Sequence, residues 1–116
     1  MLSRKDILGV NGRVVRVRKV SVPEWGPKEH VFVRMLPASD FPAVQKIQKK
    51  AEGGKEGDMS LAAWWCILGV SDAKGKRMFT DSDHARLMQE PLAAVTRCAE
   101  AFADFNFPEE LAKKKN

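Results

Sequence analysis

The sequence of 116 residues contains no tyrosine, two histidines and two cysteines, so the side chains that most often carry catalysis or bind metals are scarce. Metal sites need imidazole or thiolate ligands at close spacing, such as three or four positions apart, and no such pair occurs. His30 and His84 are therefore interpreted as structural or exposed residues. We expect a protein that is not an enzyme and that holds neither a metal nor a cofactor.

Glycine-rich loops that cradle phosphates are also missing. Gly9, Gly12 and Gly26 do not follow the Gly-x-Gly-x-x-Gly pattern, and no glycine precedes a Lys-Ser or Lys-Thr pair. Asp81 and Asp83 lack the residue order and the distal glutamate of a calcium loop, and helix capping explains them more simply. These absences argue against the common nucleotide and calcium sites.

Long hydrophobic runs are absent as well. The N-terminus has neither the apolar centre nor the cleavage pattern of a signal peptide, and no run reaches the length of a membrane span. Cys66 and Cys98 lie in apolar stretches, where a free thiol behaves as a small hydrophobic group. We therefore expect a cytoplasmic protein with no membrane contact and with two buried, unpaired cysteines.

The excess of positive charge is modest, with a net charge of +5 and a pI near 9.4. Part of it lies in Arg4 and Lys5 and in a basic tail, 113–116, which we expect to fray. Arg16 and Arg18 alternate along a predicted strand and are the best candidates for a nucleic-acid contact. Arginines on an exposed strand also prevent edge aggregation, and we favour that interpretation.

The length suits a single domain, 1–116, with a modest core. Residues 13–36 predict a β-hairpin, because two stretches of alternating β-branched residues flank a connection with two prolines. Val15 and Val17 share one face of the first strand. The apolar alternation changes phase after Lys19, which predicts a bulge or a twist.

Apolar spacing, capping residues and Pro91 predict helices over about 40–52, 59–69, 82–90 and 91–106. The apolar run 59–70 has no clear period, but its length and alanine content favour a buried helix, with a strand still open for its end at 66–70. The predicted fold class is α+β, in which an N-terminal antiparallel β-hairpin or small sheet packs against a C-terminal set of three to four α-helices.

The order of several short segments resembles the tail assembly chaperones of long-tailed bacteriophages. The first strand ends in Val-Pro-Glu-Trp-Gly (22–26), and Val-Phe-Val-Arg (31–34) follows before the helix that Ser39 opens. After the apolar helix come the turn 71–81, the amphipathic helix and Asn106. The most specific part is a pattern within that turn: Asp72, Gly75, Phe79, Thr80 and Asp81. The resemblance extends over roughly residues 12–112.

This resemblance implies a non-enzymatic protein of the host cytoplasm that is absent from the finished virion. Such a protein coats the tape measure protein and keeps it soluble until tail tube protein polymerises around it. The resemblance leaves open whether the chain forms a homo-oligomer. Two alternatives remain, namely a small structural component of the tail and a nucleic-acid-binding regulator that uses Arg16 and Arg18.

Aromatic side chains are the candidate contacts for a protein client, because aromatic residues are enriched at interfaces. Trp64 and Trp65 are adjacent, so on a helix they point about 100 degrees apart and cannot both lie at the centre of one packing surface. We expect the candidates to divide between the core and a contact surface. The protein-binding candidates are Trp25, Trp64, Trp65, Phe79 and Phe102.

Overall fold

The computed structural model describes residues 1–8, 15–53 and 58–107. The helices in these ranges are α1 (Arg4–Leu8), α2 (Phe41–Gly53), α3 (Asp58–Gly69), α4 (His84–Leu87) and α5 (Leu92–Asn106). The strands are β1 (Val17–Ser21), β2 (His30–Arg34) and β3 (Val70–Ser71). The predicted basic tail and the first two residues of the predicted hairpin lie outside the described residues. The predicted α+β class is confirmed.

The three strands form an antiparallel sheet in the order β1-β2-β3. β1 and β2 pair without interruption from Val17 opposite Arg34 to Ser21 opposite His30, which excludes a bulge within β1. Their connection contains a short 3-10 helix, Pro23–Trp25. β3, which lies at the end of the stretch 66–70 for which a strand was left open, extends the hairpin by placing Val70 opposite Val33.

One face of the sheet packs against α5, and its buried residues identify that face. Val20, Val22 and Val33 are buried. Residues paired across antiparallel strands share a face, so Arg18, which pairs with Val33, lies on the α5 side of the sheet. Val17 lies on the opposite side. The apolar residues thus change from one face to the other along a regular strand, and the predicted bulge is absent from β1.

The central helix is α3, which packs against α5, α2 and α4. Every residue from Trp65 to Gly69 is buried, whereas a surface helix buries only one stripe. This burial on several sides explains why the segment shows no apolar period in the sequence. The predicted buried helix is confirmed, and the strand left open for 66–70 begins only at Val70.

Two arginines satisfy carbonyl groups at the end of α3. The last carbonyls of a helix have no donor within the helix. Arg34 Nε donates to the Leu68 carbonyl at 2.9 Å, and Arg77 Nε donates to the Ile67 carbonyl at 3.1 Å. Arg34 also pairs with Asp40 at 3.3 Å. Residues distant in sequence thus cap the helix where the chain turns directly into β3.

The contact between α3 and α5 is built around aromatic rings. Phe102 is completely buried, and its ring centroid lies 5.6 Å from that of Trp65. The Phe107 ring lies 5.6 Å from Trp65 as well. Gly69 permits this packing, because a Cβ at that position would overlap the Phe102 ring. The two helices therefore approach closely at one glycine.

Both cysteines are buried and unpaired in this same contact, as predicted. The Cys66 thiol donates to the Val95 carbonyl, with the sulfur 3.6 Å from the oxygen. The contact with the Cys98 thiol and burial both raise the pKa of the Cys66 thiol. The Cys66 thiol is therefore held in its neutral form in the core, and Cys98 is buried beside it.

Asn106 joins the end of α5 to the end of β2. Its side-chain amide donates to the carbonyls of Arg34 and Phe102, each at 3.1 Å, and its oxygen accepts the Leu36 N–H at 2.7 Å. One side chain thus satisfies backbone groups on both elements. This role explains an asparagine at the C-terminus of the amphipathic helix.

The predicted helix 82–90 is shorter than expected. A 3-10 turn, Asp81–Asp83, precedes α4, which ends at Leu87. A reciprocal capping box between Thr80 and Asp83 opens this segment. The structure also contains the short helix α1, which was not predicted and is capped by Ser3.

Candidate functional site

An open groove of about 390 Å³ lies between the connection of the β-hairpin and the segment 78–90. We call it the Trp25 groove. Its apolar lining consists of Trp25, Val31, Met78, Phe79 and Leu87, and its charged rim consists of Asp83, Arg86 and Glu90. An apolar lining with a polar rim is typical of a site that binds an apolar segment of another molecule.

Trp25 is held in a fixed position at one wall of the Trp25 groove. It ends the 3-10 helix between β1 and β2, and its indole N–H donates to Glu90 Oε1 at 2.8 Å. The preceding residue, Glu24, pairs with Arg97 of α5 at 2.9 Å. The hydrogen bond from Arg97 lowers the pKa of the Glu24 carboxyl. Two contacts, Trp25 with Glu90 and Glu24 with Arg97, therefore fix the position of the hairpin connection.

Met78 and Phe79 form the opposite wall. The Met78 N–H donates to the Val70 carbonyl at 3.1 Å, which ties this segment to β3. The Met78 side chain is 55% exposed, while Phe79 is half-buried against the core. A methionine adapts its shape to different apolar partners. The groove thus combines a fixed indole with an adaptable thioether.

A second, smaller pocket of about 190 Å³ lies between α2, α3 and the segment 77–81. We call it the Trp64 pocket. Its floor is formed by Ala43, Ile47, Ile67 and Leu68, and its polar rim by Lys46, Lys50, Arg77 and Asp81 around Trp64. The Trp64 ring stacks on His84 with centroids 4.3 Å apart, and Lys50 Nζ lies 4.2 Å from the same ring centroid.

The structure divides the five predicted contact residues among three places. Trp25 and Phe79 line the Trp25 groove together. Trp64 lines the neighbouring pocket. Trp65 and Phe102 are buried in the core, so a partner could reach them only if α3 and α5 separated.

Sequence reasoning missed the exposed Met78 and the cationic pair Lys46 and Lys50. Met78 lies within the turn that carries the chaperone-like pattern, and its place in that turn was the feature of the sequence that could have marked it as a contact residue. Lys46 and Lys50 lie on α2. Their proximity to Trp64 depends on how α2 packs against α3, which spacing along α2 does not reveal.

One of the two arginines of the predicted cationic face, Arg18, is engaged within the chain, while Arg16 is exposed. Arg18 Nη1 lies 2.9 Å from Asp104 Oδ2, and the guanidinium carbon lies 4.7 Å from the Phe105 ring centroid. Arg18 therefore packs against α5 rather than forming a free row of charge with Arg16. This geometry gives no support to a nucleic-acid site on the strand.

Other kinds of site find no counterpart in the ranges that the structure describes. Among those residues, no three His, Cys, Asp or Glu side chains cluster as metal ligands would. Within the same ranges, no helix has the length and apolar character needed to cross a bilayer. A third pocket, of about 170 Å³, is lined by residues such as Leu36, Phe41 and Phe107 and holds none of the predicted contact residues. The two sites beside the segment 77–83 hold Trp25, Phe79 and Trp64 and are therefore the candidates for function.

The architecture matches that of a solved structure described as the bacteriophage HK97 tail assembly chaperone. The TM-score is 0.62 at 14% sequence identity, and the match covers 87% of this chain and 97% of that chain. The fold is that of the HK97 tail assembly chaperone. The predicted resemblance is thereby confirmed as a likeness of fold. No protein-family model and no curated protein matches the sequence.

Proposed function

We propose that this protein is a tail assembly chaperone of a long-tailed bacteriophage. In this role it acts without catalysis in the host cytoplasm and keeps the tape measure protein soluble while tail tube protein assembles around it. The observation that carries the proposal is the likeness of fold to the HK97 tail assembly chaperone over nearly the whole of that chain. The resemblance of motifs along the sequence supports the same conclusion.

The Trp25 groove supplies a contact suited to such a client. A long helical client presents many similar apolar segments, and each needs only a modest contact if several chaperone copies bind along it. The groove offers Trp25 and Phe79 as aromatic walls and Met78 as an adaptable contact. We infer that apolar side chains of the client insert between these residues.

Co-expression tests this function directly. We expect this protein to increase the soluble fraction of the tape measure protein encoded in the same phage genome. A tagged copy should also recover that client at moderate salt after nuclease treatment. If the client aggregates to the same extent with and without this protein, the chaperone function is wrong.

Two exposed residues provide a matched test of the groove. Met78 is 55% exposed and lines the Trp25 groove, whereas Phe41 is 58% exposed at the start of α2 and lies outside it. We expect Met78→Ser to weaken client binding about fivefold, while Phe41→Ser leaves it unchanged. Both variants should keep the parental melting temperature. Equal losses of binding would exclude the groove as the client site.

Purified virions separate the chaperone from a structural tail component. A structural component remains in the finished particle, so mass spectrometry would detect it at a fixed ratio to tail tube protein. We expect this protein to be absent from purified particles. Its presence at a fixed ratio would replace the chaperone function with a structural one.

A further inference from the structure

The Trp64 pocket has no part in the proposed function, yet it has the features of a binding site. We propose that it docks the acidic face of an amphipathic helix from a partner protein, a helix with Asp or Glu beside apolar side chains. This inference goes beyond the proposed client, because it follows from the charges and lining of one pocket.

The charges at the rim of the Trp64 pocket favour an acidic occupant. Lys46, Lys50 and Arg77 supply three cations, and Asp81 supplies the one carboxylate among the lining residues. Asp81 lies 3.7 Å from Arg77 and so faces that cation. Within the part of the chain that the structure describes, neither lysine forms an ion pair. Lys46 and Lys50 thus place two positive charges beside the cavity with no carboxylate paired to either among the described residues, although Lys50 also lies over the Trp64 ring.

The floor of the Trp64 pocket favours a helix with apolar side chains over a free carboxylate. Ala43 and the Trp64 ring are the partly exposed apolar groups of the lining, and Ile47, Ile67 and Leu68 are buried beneath them. Covering this lining would stabilise a complex in proportion to the apolar area removed from water. A helix with adjacent acidic and apolar residues would satisfy the rim and the floor together.

The arrangement around Trp64 disfavours a nucleic acid as the occupant. Binding to single strands relies on aromatic faces on which bases stack. The His84 ring and Lys50 Nζ both lie about 4 Å from the Trp64 ring centroid, so part of the indole surface on which a base could stack is already in contact within the chain. Asp81 would in addition repel a phosphate backbone.

Two synthetic helices test the proposal with the full chain. Both are about 18 residues long, with the same leucine and alanine face, and carry either glutamates or lysines at the flanking positions. Fluorescence anisotropy should detect binding of the glutamate helix, with an affinity that falls as salt is raised from about 50 to 500 mM. The lysine helix should not bind. Equal binding of both helices, or binding of neither, would overturn the proposal.

Two lysines of α2 locate the contact. Lys46 lines the Trp64 pocket, whereas Lys49 is exposed on the same helix and does not line it. We expect Lys46→Glu to weaken binding of the glutamate helix about tenfold and Lys49→Glu to change it by less than about twofold. Circular dichroism checks that both variants fold. Equal losses in both variants would show that the helix is attracted by the overall charge of the protein and that the Trp64 pocket is not its binding site.

A single-stranded oligothymidine of about 20 nucleotides tests whether nucleic acid occupies the Trp64 pocket instead. We expect it not to displace the glutamate helix, because it lacks apolar side chains for the floor of the Trp64 pocket. If the oligothymidine displaces the glutamate helix from the parent protein but not from the Lys46→Glu variant, the Trp64 pocket binds nucleic acid and the proposal of a protein partner is wrong. Because none of these measurements uses the tape measure protein, their failure is separate from failure of the chaperone function.

Discussion

Two neighbouring tryptophans of α3 occupy opposite environments. Trp65 is 8% exposed and packs between Phe102 and Phe107 in the core. Trp64 is half-buried at the rim of a pocket, between His84 and Lys50. One helical step separates them by about 100 degrees, so the packing of α5 on one side decides which indole builds the core. Residue type alone therefore does not assign a role.

The largest expected effect comes from removing each indole in turn. Trp65→Ala leaves a cavity beside Phe102 and should lower the free energy of unfolding by about 3–5 kcal/mol. Trp64→Ala removes a half-buried ring and should cost about 1 kcal/mol. Denaturant unfolding of both variants measures the difference. Similar losses of stability in the two variants would show that Trp64 and Trp65 contribute equally, contrary to the distinction between rim and core.

A smaller effect is expected at the closest approach of α3 and α5. Gly69→Ala places a Cβ where the Phe102 ring lies, and overpacking of this kind costs about 1–3 kcal/mol. Phe102→Leu relieves the overlap, so the double variant should lose less stability than the sum of the single variants. Simple additivity would mean that the glycine does not act through this contact.

The smallest effect lies on the surface, in the turn that leads to Arg77 and the Trp64 pocket. The Asp72 carboxylate accepts the N–H groups of Lys76 and Lys74, and these hydrogen bonds lower its pKa in the folded protein. Its stabilising effect is therefore present above the unfolded pKa of about 4 and is lost as the pH falls through the lower folded value.

Asp72→Asn tests this turn without touching the core. We expect the variant to have a lower melting temperature than the parent at pH 7, and the difference to shrink as the pH falls below about 4. Thermal unfolding across that range makes the measurement. A difference that stays constant with pH would show that the charge of Asp72 does not contribute. Trp65→Ala, by comparison, should destabilise to a similar degree at every pH.

Local patterns were sufficient for the elements whose signals lie within a few residues. The bounds of α2, α3 and α5 agree with prediction to within one residue at the ends described, and the hairpin forms where alternation predicts it, although β1 begins only at Val17 and β2 ends at Arg34. Alternation, apolar spacing and Pro91 are local signals. α4 was overestimated, since the capping box at Thr80 opens a 3-10 turn before the helix begins. The chaperone-like motifs, in turn, pointed to the fold that the comparison confirms.

Features that depend on distant contacts could not be predicted in the same way. β3 exists because Val70 pairs with Val33, and the arginine caps of α3 come from β2 and from the segment after β3. The Trp25 groove likewise joins the hairpin connection to a segment far along the chain. The sequence marked Trp25 and Phe79 as candidates, but only the packing brings them together.

The buried cysteines allow opening of the contact between α3 and α5 to be measured directly. Alkylating reagents attack the thiolate, and the interior keeps Cys66 and Cys98 away from both solvent and reagent. Labelling therefore requires the two helices to open, and its rate follows the population of that open state when closing is fast. Pulsed alkylation followed by mass spectrometry would thus measure the population of this open state in the unmodified chain, without any added probe.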